Sequence, residues 1–537
     1  MSTTSRRYAA LAGVTAATVA IGVAEPVAVL TGPRSAPLVA VGGVVVDAVP
    51  EPLKQFAIDV FGTADKIALL VGTALLLGGF AALIGVLAAR RLAIGLAGIA
   101  ALGAVGVAAA LTRPGADLAD ALPSLVGGGL GALVLWLFIA GPFEMDPWPW
   151  SPPTPPAPPP AASPPPGGPS NLAGSERPEA VDPESRRRFL TGTGVLLGTA
   201  AVAGLGGRWL AGRRGVSAAR DAIRLPAPAV PAAAVPAGAD LSLAQLAPYV
   251  TPNFGFYRID TALVVPQVDP DTWRLRIHGR VGTERTYTYA DLLARPLVER
   301  YVTLACVSNE VGGDLIGNAR WLGVPLRELL DEVDPDDDAD QVVGRSVDGW
   351  TCGTPTAALR DGRDALLAIG MNGEPLPVDH GFPARMVVPG LYGYVSACKW
   401  VTELELTRFA DFDAYWVPRG WSVEGPIKTQ SRIDAPRRRN RLTAGPVTVA
   451  GVAWAQHRGI RRVEVRVDDG EWQEAELAPT VSVDTWVQWS WRWDATPGEH
   501  RLQVRATDAT GETQTERTQG VVPDGATGWH TVPVLVR

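Results

Sequence analysis

Apolar runs in the first 212 residues are too long for an ordinary soluble core, and they limit this chain's architecture more than any other feature. A helix needs roughly 20 mostly apolar residues to cross the hydrocarbon of a bilayer. Runs of that length lie at about 8–31, 66–89, 92–111, 122–141 and 189–211. Between 66 and 111 only Lys66, Arg90 and Arg91 carry charge. The run at 36–49 is apolar but short, which predicts a re-entrant or interfacial helix. Basic residues favour the cytoplasmic side of a span. Arg6 and Arg7, Arg90 and Arg91, and Arg186 to Arg188 all fall on one side when five spans are counted. The reading is a multi-pass plasma-membrane protein in lipid, its N-terminus cytoplasmic and everything after about residue 212 outside.

The segment before the fifth run reads Ser185-Arg186-Arg187-Arg188-Phe189-Leu190. It resembles a twin-arginine export signal, which moves folded, often cofactor-loaded proteins; a plain positive-inside cluster is the other reading. Residues 142–184 include PWPWSPPTPPAPPPAASPPPGGPS, predicted to be a semi-rigid cytoplasmic linker. A second Ala/Pro-rich linker is expected within 213–249, lifting the exported part off the membrane. The divisions are thus 1–141 membrane helices, 142–184 linker, 185–212 signal-like segment and fifth span, and 213–249 linker. An α+β domain at 250–435 and an all-β domain at 436–537 follow.

With 537 residues and a net charge of −7, the chain has no basic block of the kind that binds nucleic acid. Its histidines are His278, His380, His457, His500 and His530, all beyond the spans. A bis-histidine haem inside the membrane half is thereby excluded. Anchoring, or contact with a membrane partner, is what remains for the spans; a transporter regulated by the outer part is the rival.

From 250 to 435 short strand-like runs alternate with short helices. From 436 onward the runs VTVAGVAWA, IRRVEVRVDDGEWQEAEL, WVQWSWRWD and HRLQVRATD alternate apolar and polar residues, with Asp469-Gly470 and Pro497-Gly498 as turns. Roughly seven such strands in about 100 residues predict an immunoglobulin-like sandwich.

Only three cysteines occur, Cys306, Cys352 and Cys398. Cys306 ends the apolar run YVTLAC and opens a loop with Ser308, Asn309, Gly312 and Gly313. A thiolate there suits a soft metal. One cysteine cannot build a zinc or iron–sulfur site, but it can complete the shell of a metal already held by an organic cofactor. Cys352 and Cys398 are read as packing residues beside the pocket, a disulfide between them being the alternative. The aspartates at 334–340 are read as a solvated loop.

The residues TLACVSN and LIGNARWLGVPL resemble the molybdenum-cysteine segment of the sulfite oxidase family of molybdopterin enzymes. TPNFGFYRID (251–260), NGEPLPVDHGFPARMVVPGLYGYVSACKW (372–400) and the C-terminal strands resemble further segments of that family, in the same order. The resemblance implies a molybdenum–molybdopterin cofactor, with Cys306 as the protein's sulfur ligand to the metal. It implies that Asn253, Tyr257, Arg258, Ser346, His380, Arg385, Ser396 and Lys399 bind the pterin and its phosphate. Arg385 offers a planar fork and Lys399 a point charge. Oxygen-atom transfer on a small substrate follows, with Cys306, Arg258, Arg320 and Tyr415 as the catalytic set. Electrons would leave to, or arrive from, a separate carrier, and the sandwich would serve as a dimerisation domain in a homodimer. Sulfite oxidases carry an arginine just after the metal cysteine and another before a late glycine; here those steps read Asn309-Glu310-Val311 and Gln519-Gly520. Losing those charges weakens the case for a dianion. A neutral or monoanionic S-oxide, N-oxide or similar oxyanion is then as good a substrate as sulfite, and Arg320, Tyr415 and Arg419 are the side chains left to compensate. A surface binding protein that kept this fold without catalysis is the rival reading.

Overall fold

A computed structural model describes residues 3–49, 60, 65–113, 116–144, 183–213, 215–437 and 440–537. Nearly all of the proline-rich linker at 142–184 lies outside the described residues. The chain divides into two compact units, Met1–Gly215 and Val216–Arg537.

The first unit is helical, with α1 (Thr3–Thr31), α2 (Pro37–Ala48), α3 (Asp65–Ala88), α4 (Leu92–Leu111), α5 (Leu122–Ile139) and α6 (Pro183–Arg213). Five stretches are long and apolar enough to cross a membrane: Arg6–Thr31, Ala68–Ala88, Leu92–Leu111, Leu118–Ile139 and Pro183–Leu210. These coincide with the five expected spans, and α2 is the short apolar helix expected at 36–49. Small residues let the helix backbones meet closely. A Cβ at Gly13 would lie 2.0 Å from the Ala81 carbonyl, and one at Gly127 would lie 2.5 Å from that of Ala20. α6 belongs to this bundle: Phe189 packs on Tyr8 and Phe138, and Arg208 meets Glu25 of α1 at 3.7 Å.

The second unit begins with an α+β region of two sheets. In one, β1 (Arg274–Gly279), β2 (Arg285–Thr288), β5 (Gln341–Ser346), β6 (Thr351–Pro355) and β10 (Val401–Thr407) run in the order β2-β1-β10-β5-β6. In the other, β3 (Val298–Ala305), β4 (Ile316–Pro325), β7 (Leu366–Met371) and β8 (Glu374–Pro375) follow one another, with β9 (Arg385–Val387) beside β7. β4 is buried at all positions but Arg320 and Pro325, so it shows a near-continuous buried run rather than an alternation. β3 pairs antiparallel with β4, Ala305 opposite Ile316. That register presents Cys306 at the end of a rigid, two-sided strand.

A β-sandwich completes the unit. Its sheets run β11-β13-β17-β16 and β12-β19-β18-β14-β15, where β11 is Gln430–Ala435, β12 Arg441–Leu442, β13 Gly445–Trp454 and β14 Ile460–Val467. The rest are β15 (Gln473–Glu474), β16 (Glu476–Leu477), β17 (Val487–Ala495), β18 (Gly498–Asp508) and β19 (His530–Val536). The two-residue strands raise the number above the expected seven. Trp489 and Trp493 of β17 fill the space between the sheets, with Trp491 packed against the same core.

The sandwich also covers the outer edge of β3. The Thr303 N–H donates to the Asp484 carbonyl, its hydroxyl accepts from the Trp486 N–H, and its carbonyl accepts from Gln456 Nε2. The stretch 213–249 departs from its reading as a spacer. Val216 enters the core, Arg220 donates to the Pro375 and Leu376 carbonyls, and residues 229–230 pair with the N-terminal end of β3. Leu241 and Ala247 donate to Gln488 and Asp434 of the sandwich. An exposed strand edge demands hydrogen-bond partners, and an extended Ala/Pro chain can supply them at alternate residues.

Candidate functional site

Cys306 is 9% exposed and its thiol is free. Its N–H donates to the Leu315 carbonyl at 2.9 Å, and the Ser308 N–H points at its sulfur at 3.4 Å. Burial pushes the thiol pKa up; the Ser308 and Val307 N–H groups oppose that by stabilising the thiolate. Asn309 closes the loop, donating its N–H to the Cys306 carbonyl and accepting the Leu315 N–H on Oδ1 at 2.8 Å.

Tyr257 stacks on Phe256 and lies within the electrostatic reach of both Cys306 and Arg385. Burial raises its hydroxyl pKa, Cys306 adds to the rise, and Arg385 opposes it. A Cβ at Gly393 would lie 3.7 Å from the Ala305 carbonyl and 4.0 Å from Tyr257 Oη, so the short helix Gly393–Ser396 walls the same space. Tyr392, just before it, also feels the charge of Cys306 and was not singled out from the sequence.

Arg385 of β9 is 5% exposed. Its guanidinium donates to carbonyls only, those of His380 at 3.1 Å, Met386 at 3.4 Å and Ala397 at 3.5 Å, and it lies over the Trp321 ring. Among the described residues no carboxylate lies within ion-pair distance of it. Burial lowers its pKa to about 10. His380 Nε2 faces the Asn253 carbonyl at 3.1 Å; burial and then the Arg385 charge lower its pKa to about 4, so it stays neutral. Gly381 (φ +111°) separates the two cations, and a Cβ there would meet both Arg385 and Lys399 at 3.1 Å.

The other cations are partnered. Lys399 Nζ binds Asp260 at 2.7 Å and Arg258 approaches the same carboxylate at 3.4 Å. Asp260 was not singled out from the sequence, although it lies two residues after Arg258. Asn253 is engaged with Glu374, Met371 and Asn372. Ser396 bonds the Leu391 and Tyr392 carbonyls, whereas Ser346 Oγ is buried and has no hydrogen-bond partner among the described residues. Ser346 pairs with Val401, two residues from Lys399.

The structure does not bring Arg320 beside Cys306 along the β3–β4 hairpin. Arg320 stands opposite Tyr301, and five residues of strand at about 3.3 Å each separate Tyr301 from Cys306. Its guanidinium meets Glu299 at 3.2 Å. Tyr415 stacks under Arg419 and connects through Trp416 and Trp421 to Tyr394, three rings removed from the wall beside Ala305. Cys352 and Cys398 are buried free thiols in contact, packed around Gly344 rather than joined as a disulfide. The acidic loop is partly ion-paired, with Asp338 held by Arg280 and Arg408.

The donor set fits a phosphorylated pterin that carries its own metal. A buried guanidinium without a carboxylate is costly until an anion arrives. The unpartnered Ser346 hydroxyl awaits a polar neighbour. Among the described residues no three His, Cys, Asp or Glu side chains converge, so a metal at Cys306 would draw its remaining ligands from the cofactor.

The family model for the oxidoreductase molybdopterin binding domain matches residues 262–416, and that for a bacterial Ig domain matches 430–504. Mitochondrial sulfite oxidase of Mus musculus is 32% identical over 287 residues, covering 45% of this chain and 52% of that protein. The uncharacterized oxidoreductase YuiH of Bacillus subtilis is 30% identical over 157 residues, 29% of this chain and 76% of YuiH. The sulfane dehydrogenase SoxCD of Paracoccus pantotrophus has a solved structure that aligns with 53% of this chain and 80% of its own, at 25% identity and a TM-score of 0.47. The chain spans about half the length of the mammalian relatives it matches. With the molybdopterin-domain model matching residues 262–416 and relatives at 30% and 32% identity, the chain belongs to the sulfite oxidase family of molybdopterin-dependent oxidoreductases.

Proposed function

We propose that this protein is a membrane-anchored, extracytoplasmic oxidoreductase that transfers an oxygen atom to or from a small S- or N-oxo compound or oxyanion. The bound molybdenum–molybdopterin supplies the two-electron oxygen transfer itself. The observation that carries the reading is the pairing of one buried, N–H-supported thiol with one buried, carboxylate-free guanidinium.

Cys306 holds the metal end, its sulfur kept receptive by the Ser308 N–H. Arg385 holds the phosphate end, with neutral His380 and the Ser346 hydroxyl as hydrogen-bonding neighbours along the pterin. Tyr257 lies between the two ends, and the Lys399–Asp260–Arg258 group fixes the other wall. Because Asp260 offsets much of the positive charge there, the site favours a neutral or singly charged substrate over a dianion. Burial of these groups keeps bulk water from the reacting atoms.

The five apolar helices, with Arg6, Arg7, Arg90, Arg91 and Arg186 to Arg188 on one side, support an anchor in lipid with the catalytic unit outside. Electrons would pass singly to or from a separate carrier, since the three cysteines include no iron–sulfur set. The sandwich is the surface proposed for a homodimer. The test is a substrate screen with artificial electron donors and acceptors, comparing wild type with Cys306→Ser. Loss of more than about 100-fold is expected, beyond what removing an outer-shell partner causes. Equal turnover in both proteins removes Cys306 from the chemistry.

A further inference from the structure

Behind Cys306 the chain loops out through residues 307–315 before returning as β4. The loop is closed at its neck by Cys306, Asn309 and Leu315, and at its far end by the Gly313 N–H on the Glu310 carbonyl. These bonds link the far end of the loop to Cys306 at its neck. Its far end, Gly312–Gly313, is gripped by two side chains of the sandwich.

Arg432, on β11, is 8% exposed. Nε and Nη2 engage the Asp434 carboxylate at 2.6 and 3.2 Å, and Nη1 donates to the Gly313 carbonyl at 2.7 Å. An ion pair serving stability alone would be satisfied by Asp434; the third bond crosses to the other domain. His530, at the start of β19, accepts the Ile433 N–H on Nδ1 at 3.0 Å and lays its ring over Gly312. A Cβ at Gly312 would lie 2.2 Å from that ring, and the residue's φ of +78° also requires glycine. Burial and the Arg432 charge hold the His530 pKa down to about 4, which keeps the Nδ1 lone pair free for Ile433.

We propose that Arg432 and His530 are positioning residues for the Cys306 sulfur, so that the sandwich, through Gly312 and Gly313, sets where the metal-binding thiol of the neighbouring domain stands. This rests on Cys306 being the metal ligand. Neither side chain touches substrate or cofactor; each acts through the loop.

The test uses the full chain, prepared with and without cofactor, in four variants: Arg432→Ala, Arg432→Lys, Asp434→Asn and His530→Asn. Asparagine at 530 still offers an acceptor to Ile433 but no ring to Gly312. In the cofactor-free chain, alkylation by iodoacetamide is followed at each cysteine by peptide mass spectrometry. Cys306 should react about tenfold faster in Arg432→Ala and His530→Asn, with Cys352 and Cys398 unchanged, and Arg432→Lys should recover part of the protection. In loaded protein the molybdenum X-ray absorption should show a more disordered sulfur shell, with kcat lowered and KM retained. Wild-type alkylation rates and an unaltered sulfur shell in folded variants overturn the proposal. Should Arg432→Ala not fold, Asp434→Asn decides, because it loosens the same guanidinium without removing it; full protection of Cys306 there also overturns the proposal. Absence of molybdenum from every preparation would defeat the functional reading, while the alkylation arm would still decide whether the sandwich holds the loop.

Discussion

Two buried cations sit either side of Gly381 and are treated in opposite ways. Lys399 is bound to the Asp260 carboxylate, which also receives Arg258. Arg385 has only backbone carbonyls and an indole face. A cation whose counter-charge is built into the fold supports the fold; one left without it is a binding site held ready at a cost in stability. On the proposed function, the difference separates the wall of the pocket from the part of it that would receive an anion.

The sharpest break of this comparison is a pair of stability measurements on cofactor-free protein. Lys399→Met takes the nearer of two cations from the buried Asp260 carboxylate, leaving Arg258, and should destabilise by about 2 kcal/mol, whereas Arg385→Met removes an uncompensated charge and should leave stability equal or up to about 4 kcal/mol higher. Denaturant unfolding of both variants reads the two signs, and a shared sign would erase the distinction. In loaded protein Arg385→Met should weaken cofactor retention by about 2 kcal/mol or more, read as molybdenum per chain after dialysis.

The pH dependence sharpens the same contrast. His380, facing Arg385, Lys399 and Asp379, is held down to about 4 against an ordinary value of 6.5. The unfolded chain therefore binds more protons between those values, so the stability tied to neutral His380 is present above pH 6.5 and lost as pH falls toward 4. His530 adds to the same window. Unfolding free energy should fall between pH 7 and pH 4.5, and His380→Asn should flatten the curve; an unchanged slope would count against its burial as the neutral form. The smallest effect belongs to Arg320→Ala. Its ion pair with Glu299 is partly exposed and far from Cys306, so stability should change by less than about 1 kcal/mol and kcat/KM by no more than about threefold.

Much of this was legible in the sequence. The five helices long and apolar enough to cross a membrane follow from length and apolarity alone, and Cys306 at a strand end follows from the turn chemistry after YVTLAC. Arg385 and His380 are singled out by the resemblance of residues 372–400 to a segment of the family, not by their own spacing. What escaped depends on partners distant in sequence. Arg320 is offered by the sequence only as a charge left to compensate, and its place depends on the hairpin register, which sets it opposite Tyr301 and away from Cys306 along β4. The Ala/Pro stretch before residue 249 read as a spacer because composition describes an extended chain without saying which strand edge it will cover. Arg432 carries no signal of its role in the sequence, since its carbonyl partner lies 119 residues earlier.

Thr303 gives that last point a practical edge. Its amide, hydroxyl and carbonyl are all engaged by the sandwich, on the strand that ends at Cys306. A truncated protein stopping near residue 429 would bare that strand to other molecules and should clump during purification. Those who would express the metal-binding part alone, or graft a foreign β-module behind it, should expect to carry residues 430–537 along.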